Sequence, residues 1–266
     1  MKNYHQKTAL ITGASSGIGE AFAECLAEQG AHLILTARRH DRLATLADRL
    51  RHHGANVTVI VDDLMDPAAP GRLHDEIETR GLTVDLLVNN AGFGSGRRFD
   101  EDDRTRLEDM VDLNVRALVA LTRLFLPAMR ARREGGVINV ASTAAFQPVP
   151  FMATYGATKA FVLSFSEALW AECEPVGVGV LALCPGYTTS EFHAIAGSRV
   201  DGIAMVPARR VAEEGLRALL DRKCYHVVGA GNYVVAQTPR FFPRHTTARI
   251  VRGMFAKRVS AGSAGA

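Results

Sequence analysis

The sequence predicts an α/β fold, a parallel and doubly wound sheet flanked on both faces by helices. The first observation is that short apolar runs alternate with longer amphipathic stretches along most of the chain. The second is that apolar runs such as residues 32–37 (HLILTA) show no polar alternation, which is typical of strands buried on both faces. The third is composition, because 266 residues with 47% hydrophobic and 22% charged side chains suit one large globular domain or two small ones.

The local pattern predicts each element in turn. Residues 8–13 (TALITG) predict a buried strand, residues 18–30 a helix that ends at Gly30, and residues 32–37 a second strand, which together form a β-α-β unit. The alternation continues to a last strand at residues 226–231. Between them the pattern predicts helices at 40–54, 67–81, near 103–133 and after Tyr155, and strands at 56–63, 84–92, 135–142 and 178–186.

The chain shows no Pro- or Ser-rich linker before residue 259, so we predict a single domain over residues 1–239. Residues 240–258 predict a basic amphipathic extension, and residues 259–266 predict a disordered tail. No acidic residue follows Asp221, whereas eight lysines or arginines do. Because this positive charge is confined to one segment and accompanies no nucleic-acid module, we predict no nucleic-acid partner.

Composition also bears on redox state and location. The apolar run near the first residues is too short, and its surroundings too polar, for a secretory signal, and no run approaches the ~18 apolar residues of a membrane span. We therefore predict a cytoplasmic protein. The cysteines stand singly without metal-ligand spacing, which predicts reduced packing residues and no metal site. They are Cys25, Cys173, Cys184 and Cys224.

A glycine-rich turn lies between the first strand and the first helix. In TGASSGIG, residues 12–19, the glycines are Gly13, Gly17 and Gly19. A glycine at a tight strand exit, followed by glycines that admit a ligand and let the helix approach the sheet, builds a pyrophosphate site at a helix N-terminus. A glycine cluster alone is commonly an ordinary turn, but its position between two strands favours dinucleotide binding.

The second strand ends in TARRH, where many dinucleotide sites place an acid that binds the ribose 2′-hydroxyl. Ala37 offers no carboxylate there, while Arg38 and Arg39 offer guanidinium groups suited to a 2′-phosphate. This pattern predicts NADP(H) in preference to NAD(H). The alternative is that both arginines are solvated surface charge.

The stretch YGATK places Tyr155 and Lys159 four residues apart at the start of a predicted helix, so both side chains lie on one face. A free tyrosine ionises near pH ~10. A positive charge at ~4 Å would favour the phenolate by roughly 4 kcal/mol at an effective dielectric constant of about 20. We therefore predict that Lys159 lowers the pKa of Tyr155, although a surface Tyr and Lys on an ordinary helix remain the alternative.

Seven motifs in order make the chain resemble the short-chain dehydrogenase/reductase family. They are TGASSGIG at 12–19, DDL at 62–64, NNAG at 89–92, Asn114 in LNVRALVALT, Ser142 in INVAST, YGATK at 155–159 and CPGYTTSEF at 184–192. The resemblance implies a Rossmann-type fold with about seven strands and a catalytic tetrad of Asn114, Ser142, Tyr155 and Lys159. It assigns Asn114 to a water-linked proton path behind Lys159. It also implies hydride transfer between nicotinamide and a carbonyl or secondary alcohol.

The same resemblance implies the cofactor contacts. Asp63 is expected to bond the adenine amino group, residues 90–92 to pack beside the adenine ribose, and residues 185–190 to border the nicotinamide. The family usually has threonine where Ser190 stands and serine where Thr158 stands, and neither change is expected to alter the chemistry. The full set of expected cofactor-binding residues is Gly13, Ser15, Ser16, Gly17, Ile18, Gly19, Arg38, Arg39, Asp63, Leu64, Asn90, Ala91, Gly92, Tyr155, Lys159, Pro185, Gly186, Thr188 and Ser190.

The expected substrate pocket is mainly apolar. Its walls would come from Phe93 and Gly94, residues 143–152 and residues 187–206, which favours a hydrophobic ketone or alcohol. The alternatives are a 3-oxoacyl-thioester reductase of lipid synthesis and a non-catalytic NADP(H)-binding regulator. The apolar candidates for the walls are Phe146, Phe151, Met152, Phe192, Ile195 and Met205.

In the C-terminal extension, Ile250, Val251, Met254 and Phe255 fall on one helical face and arginines on the other. We expect this helix to pack on its own domain or a second subunit. Contact with an anionic membrane surface or an acidic carrier protein is the alternative. The family resemblance implies a homodimer or homotetramer.

Overall fold

A computed structural model describes residues 1–197, 202 and 204–259. The strands are β1 (Thr8–Thr12), β2 (His32–Ala37), β3 (Val57–Val61), β4 (Leu86–Asn89), β5 (Gly136–Val140), β6 (Gly179–Cys184), β7 (Thr188–Thr189), β8 (Val206–Pro207) and β9 (Tyr225–Val227). Seven of them form one sheet in the order β3-β2-β1-β4-β5-β6-β9, in which every pair is parallel. β7 and β8 pair separately. The predicted parallel sheet of about seven strands is confirmed.

The helices cover both faces of this sheet. They are α1 (Gly17–Glu28), α2 (His40–His52), α3 (Ala69–Thr79), α4 (Arg104–Val111), α5 (Leu118–Arg132), α6 (Ala153–Cys173), α7 (Phe192–Ala196), α8 (Ala208–Leu220), α9 (Ala230–Gln237) and α10 (Arg244–Val259).

The long helix predicted near residues 103–133 is interrupted. A π-helical turn, Asp112–Ala117, joins α4 to α5. Such a turn spans only a few residues inside a continuous helical stretch, which is too short for hydrophobic periodicity to distinguish it from an α-helical turn. The turn contains Asn114, which is buried and bonds the backbone of Phe93 in both directions, with Nδ2 donating to the Phe93 carbonyl and Oδ1 accepting from its N–H.

Successive strand residues point to opposite faces, which produces two apolar layers. Leu10 belongs to the layer that holds α3 and α5, while its neighbour Ile11 belongs to the layer that holds α1, α2 and α8. Leu87 and Val88 divide in the same way on β4. The inner strands β1, β2, β4, β5 and β6 are buried along nearly all of their length, and their sequences are mainly apolar, as predicted, whereas the edge strands β3 and β9 are more exposed.

The strand order reverses at β1, whose two neighbours are β2 and β4. At such a switch point the loops after adjacent strands leave in opposite directions and open a crevice at the carboxyl edge of the sheet. The glycine-rich turn after β1 and the NNAG segment after β4 face each other there, and Asn90 Nδ2 donates to the Thr12 carbonyl at 2.9 Å.

The C-terminal segment packs only part of its predicted apolar face. On α10, Val251 is buried and Phe255 is half-buried, whereas Ile250 and Met254 are 52% and 59% exposed. The predicted tail at residues 259–266 begins at the last residue of α10, and its residues 260–266 lie outside the described part of the chain. Over the described residues, no helix combines the length and the apolar character needed to cross a bilayer.

Candidate active site

A cavity of about 1070 Å³ runs along the carboxyl edge of the sheet. Loops that follow six of the parallel strands line it, from Gly13 after β1 to Pro185 after β6. Of the site residues predicted from the sequence, only Gly19 and Asn114 do not line this cavity. The crevice therefore gathers the motifs of distant chain segments into one site.

Backbone geometry explains the glycines in the first turn. Gly13 has φ +64°, and a Cβ at this position would lie 2.9 Å from the Ala91 Cα. A Cβ on Gly19 would lie 2.4 Å from the Gly13 carbonyl oxygen. Gly19 thus allows α1 to pack against the turn, and it does not line the cavity, although the sequence predicted it among the cofactor-binding residues.

The N-terminus of α1 opens into the cavity through Gly17 and Ile18. Ser16 is the N-cap residue, and among the described residues no side chain caps this end of the helix. First-turn N–H groups and the hydroxyls of Ser15 and Ser16 are therefore available as donors in the position where dinucleotide-binding folds hold a pyrophosphate. The residues present fit a dinucleotide.

At the end of β2, Arg38 and Arg39 line the cavity. Arg38 is 58% exposed, and its Nη1 lies 3.8 Å from the Asp63 carboxylate. Asp63 also accepts a hydrogen bond from the Met65 N–H at 3.1 Å. Arg39 donates to the hydroxyls of Ser15 and Ser16 in the first turn. Arg39 therefore lies beside the glycine-rich turn, whereas Arg38 lies beside Asp63.

Tyr155 and Lys159 lie on the first turns of α6, as predicted, and both are buried. The Lys159 Nζ donates to the Val140 carbonyl at 2.7 Å and lies 5.8 Å from the centroid of the Tyr155 ring. Ser142 follows β5 at the edge of the sheet, and its Oγ accepts from the Ala144 N–H. All three side chains line the cavity.

Burial dominates the protonation of this pair. Desolvation raises the pKa of Tyr155 to about 12, and a hydrogen bond with the Ser142 side chain acts in the opposite direction. Desolvation lowers the pKa of Lys159 to about 8. The prediction that Lys159 lowers the pKa of Tyr155 is wrong for this arrangement, because the ammonium is drawn to the Val140 carbonyl and burial penalises the phenolate.

Asn114 stands behind the cavity wall. Besides its two bonds to Phe93, its Nδ2 donates to the Thr158 Oγ1 at 3.1 Å, and that hydroxyl donates to the Tyr155 carbonyl at 2.8 Å. A Cβ on Gly92 would lie 2.7 Å from the Asn114 Oδ1. Asn114 therefore ties the segment after β4 to the helix that carries Tyr155. The sequence interpretation assigned no role to Thr158.

Aromatic and aliphatic residues form the wall next to Tyr155. The rings of Tyr155 and Phe192 have centroids 5.2 Å apart, and both rings approach Gly94. The predicted wall residues Phe93, Phe151, Met152 and Ile195 also line the cavity.

Gly94 and two of the apolar side chains predicted for the wall do not line the cavity, and three residues of the C-terminal helices do. Phe146 packs against Tyr225, with ring centroids 5.9 Å apart, and neither it nor Met205 lines the cavity. Val235 of α9 and Met254 and Phe255 of α10 line it instead. The sequence alone does not identify these contacts, since they depend on how the C-terminal segment folds back over the sheet edge.

Two charged residues of the site also escape the sequence patterns. Arg106 donates to the carbonyls of Gly94 and Ile195 and lies over the Phe93 ring. Glu191, between the motif residue Ser190 and α7, contacts Arg39 across the cavity. The acid in CPGYTTSEF is the only signal in the sequence, and it does not identify the partner.

The predicted free cysteines are found as such, and most are buried. Within residues 1–197, 202 and 204–259, no group of His, Cys, Asp and Glu side chains is arranged to hold a metal ion.

Comparison with known proteins places these features in a family. The family model described as short chain dehydrogenase matches residues 7–201. A short chain dehydrogenase of Pseudocercospora fijiensis is 39% identical over 190 residues, 71% of this chain and 62% of that protein. The monensin polyketide synthase putative ketoacyl reductase of Streptomyces virginiae is 40% identical over 184 residues, covering 68% of this chain and 70% of that protein. The NADP-dependent 3-hydroxy acid dehydrogenase YdfG of Salmonella typhi is 38% identical over 190 residues, covering 70% and 75%.

Solved structures share the fold over most of the chain. A short-chain dehydrogenase from Sphingobium yanoikuyae in complex with NADPH has a TM-score of 0.80 and 32% identity, covering 88% of this chain and 94% of that one. A short chain dehydrogenase/reductase from Burkholderia phymatum in complex with NAD has a TM-score of 0.81 and 27% identity, covering 91% and 95%. Both nicotinamide cofactors therefore occur among its structural relatives.

Proposed function

Because the chain belongs to the short chain dehydrogenase family and is an oxidoreductase of alcohols or ketones with a nicotinamide cofactor, we propose that it uses NADP(H) and acts on a hydrophobic substrate. The observation that carries this proposal is that Ser142, Tyr155 and Lys159 share one cavity with the glycine-rich turn. A bound nicotinamide supplies the hydride in reduction and accepts it in oxidation.

Tyr155 holds the proton that the reaction moves. Its pKa of about 12 keeps the phenol protonated at neutral pH, so in the reducing direction it is ready to donate to a carbonyl oxygen. Ser142, which bonds the same phenol, orients it and offers a second contact to that oxygen. In the oxidising direction the phenol must first lose its proton, which burial opposes and the hydrogen bond with Ser142 favours.

Lys159 lines the same cavity as Tyr155, where its ammonium can reach the cofactor. Its Nζ has donors to spare beyond the one given to the Val140 carbonyl, since an ammonium carries three. We assign it to the nicotinamide ribose hydroxyls. Asn114 acts as a positioning residue, because its bonds hold Phe93 and Thr158 and it does not line the cavity.

The preference for NADP(H) rests on Arg38 and Arg39 and on the absence of a carboxylate at Ala37. Guanidinium groups bind phosphate oxygens through paired N–H donors. Relatives described as NADP-dependent or solved with NADPH support this preference, although the relative from Burkholderia phymatum was solved with NAD. We propose that Asp63 and residues 90–92 receive the adenosine half and that residues 185–190 receive the nicotinamide half.

The substrate is proposed to be a hydrophobic ketone or secondary alcohol. Phe151, Met152, Phe192 and Ile195 line the cavity on the side of Tyr155. A 3-oxoacyl thioester is the second candidate, favoured by the similarity to a putative ketoacyl reductase. Its long acyl arm would run along the same apolar wall.

A substrate screen followed by the absorbance of NADPH tests the function. The panel contains aromatic ketones, steroid-like ketones, free 3-oxo acids and 3-oxoacyl thioesters, each with NADPH and with NADH. We expect consumption of NADPH with hydrophobic ketones. Turnover of thioesters alone would select the second candidate, and the absence of turnover with every carbonyl, with NADPH bound, would reject the enzyme function for this site.

The partner surface is proposed at the C-terminal segment. Val234 and Phe241 are 66% and 81% exposed, and together with Ile250 and Met254 they present apolar side chains to solvent. We propose that a second copy of the chain covers them in a homodimer or homotetramer, and that the protein is cytoplasmic, as its free cysteines suggest.

Light scattering after size exclusion tests the partner. The full chain is compared with Phe241→Ser and with Phe99→Ser, a control that changes another exposed phenylalanine. Oligomers that dissociate only in Phe241→Ser support the proposal. A monomeric full chain that sediments with anionic liposomes would instead assign the segment to a membrane surface.

A further inference from the structure

Arg39 is nearly saturated by protein contacts. Its Nε and Nη2 donate to the Ser15 Oγ at 3.2 and 3.1 Å, and Nη2 also donates to the Ser16 Oγ at 2.7 Å. Its Nη1 donates to the Glu191 Oε2 at 2.7 Å. A guanidinium has five N–H donors, so these contacts leave one N–H on Nη1.

Glu191 reaches Arg39 from the opposite side of the cavity. It directly follows the segment of residues 185–190 that borders the nicotinamide half, and its other oxygen, Oε1, accepts from Arg42 on α2. Arg39 first, and then Arg42, lowers the pKa of Glu191 to about 2. The carboxylate is therefore ionised at every pH at which the enzyme would be assayed.

The Glu191 carboxylate and a cofactor 2′-phosphate would accept hydrogen bonds from the same N–H groups of Arg39. Both are anions with oxygens suited to paired N–H groups, and Arg39 has one N–H to spare. A phosphate that engages Arg39 bidentately must displace Glu191, because the contacts to Ser15 and Ser16 anchor the arginine at the phosphate-binding turn. Arg38 is more exposed than Arg39, and its Nη1 lies 3.8 Å from the Asp63 carboxylate, beyond hydrogen-bonding distance. Among the described residues, Arg38 has no carboxylate as close as Glu191 is to Arg39.

We propose that Glu191 is a specificity-determining residue, an internal carboxylate that competes with the cofactor 2′-phosphate for Arg39. It weakens the binding of NADP(H) and leaves NAD(H), which lacks the phosphate, unaffected. This inference rests on the proposed preference for NADP(H). Glu191 also connects the cofactor contacts to the catalytic residues. It directly precedes Phe192, whose ring packs on Tyr155, so a movement of Glu191 is transmitted to that ring.

The test measures the dissociation constants of NADPH and NADH by fluorescence titration for wild type, Glu191→Gln and Glu191→Ala. An exposed ion pair contributes about 0.2–1 kcal/mol, and about 1.4 kcal/mol corresponds to a tenfold change, so we expect NADPH to bind up to about fivefold more tightly in both variants. NADH binding should change by less than about twofold. Two variants guard against a folding defect in either one.

Glu28→Gln is the matched control. Glu28 pairs with Arg209 at the far end of α1, outside the cavity, and its side chain is 57% exposed against 39% for Glu191. The variant removes the same charge from the chain without touching Arg39. An equal tightening of NADPH binding in Glu28→Gln would assign the effect to net charge and overturn the proposal.

Arg39→Ala separates failure of this proposal from failure of the proposed function. If Arg39 holds the 2′-phosphate, Arg39→Ala weakens the binding of NADPH but not of NADH. Combining Glu191→Gln with Arg39→Ala then causes no further change in NADPH binding. An unchanged NADPH-to-NADH ratio in Arg39→Ala and in Arg38→Ala would reject the cofactor preference itself. Arg39→Ala could lose the preference for NADPH over NADH while both Glu191 variants bind NADPH no more tightly than the wild type. That combination would reject competition by Glu191 and leave the cofactor preference standing.

Discussion

Replacing Thr158 by valine removes one hydroxyl that two parts of the site share. The Thr158 Oγ1 accepts from the Asn114 Nδ2 at 3.1 Å and donates to the Tyr155 carbonyl at 2.8 Å. Thr158 and Asn114 are both buried, with 4% and 1% of their surfaces exposed. Valine has nearly the same shape as threonine, so the change leaves one N–H of Asn114 buried without an acceptor.

An unsatisfied buried donor costs about 1–3 kcal/mol, and we expect Thr158→Val to lower the free energy of unfolding by that amount. Turnover should fall as well, by about tenfold for each ~1.4 kcal/mol lost from the positioning of Tyr155. The assay combines urea unfolding, followed by circular dichroism, with the rate of NADPH consumption.

Thr158→Ser is the control, because it keeps the hydroxyl and removes one methyl group, worth about 0.8 kcal/mol. It should retain turnover close to that of the wild type, in agreement with the expectation from the sequence that threonine or serine serves equally here. If Thr158→Val and Thr158→Ser are equally stable and equally active, the hydroxyl does not link Asn114 to the helix of Tyr155.

Three further predictions concern charge and close approach. Burial lowers the pKa of Lys159 to about 8 from a value near 10.5, so between these pH values the unfolded chain binds more protons than the folded one and stability rises with pH. Urea unfolding at pH ~7 and ~9.5 should therefore show the wild type gaining about 2 kcal/mol of unfolding free energy relative to Lys159→Met. A difference between the two proteins that stays constant with pH would contradict this. Arg38→Asp should weaken the binding of NADPH, measured by titration, and leave the binding of NADH unchanged. An equal loss of affinity for both cofactors would refute the assignment of Arg38 to the 2′-phosphate. Gly17 has φ +60°, and a Cβ there would lie 2.9 Å from the Ser190 Cβ. Gly17→Ala should therefore bind the cofactor more weakly and lose at least about 1 kcal/mol of stability. Gly71→Ala is the control and should lose neither, because a Cβ on Gly71 meets open space.

The fold could be read from the sequence because burial on both faces makes the inner strands mainly apolar. β1 and β2 show this directly, and the position of β1 between β2 and β4 follows from the switch-point order of the sheet. The π-helical turn at Asp112–Ala117 could not be read, since it adds a residue to a turn without changing which side chains are apolar.

The site could be read where a backbone constraint or a fixed spacing encodes it. Gly13 needs a positive φ, and the i, i+4 spacing puts Tyr155 and Lys159 on one face. The sequence did not reveal the direction of the Tyr155 pKa shift, because that depends on burial and on the Val140 carbonyl that binds Lys159. Contacts between distant segments, such as Glu191 with Arg39, depend on tertiary geometry.

Proton transfer by Tyr155 is tested most directly by comparing wild type with Tyr155→Phe on a ketone that the wild type reduces. The variant keeps the ring that packs against Phe192 and loses only the hydroxyl. We expect turnover to fall by at least about 100-fold, the scale of a lost general acid, while the dissociation constant of NADPH changes by less than about threefold. Turnover within about tenfold of wild type, with NADPH still bound, would show that another group supplies the proton.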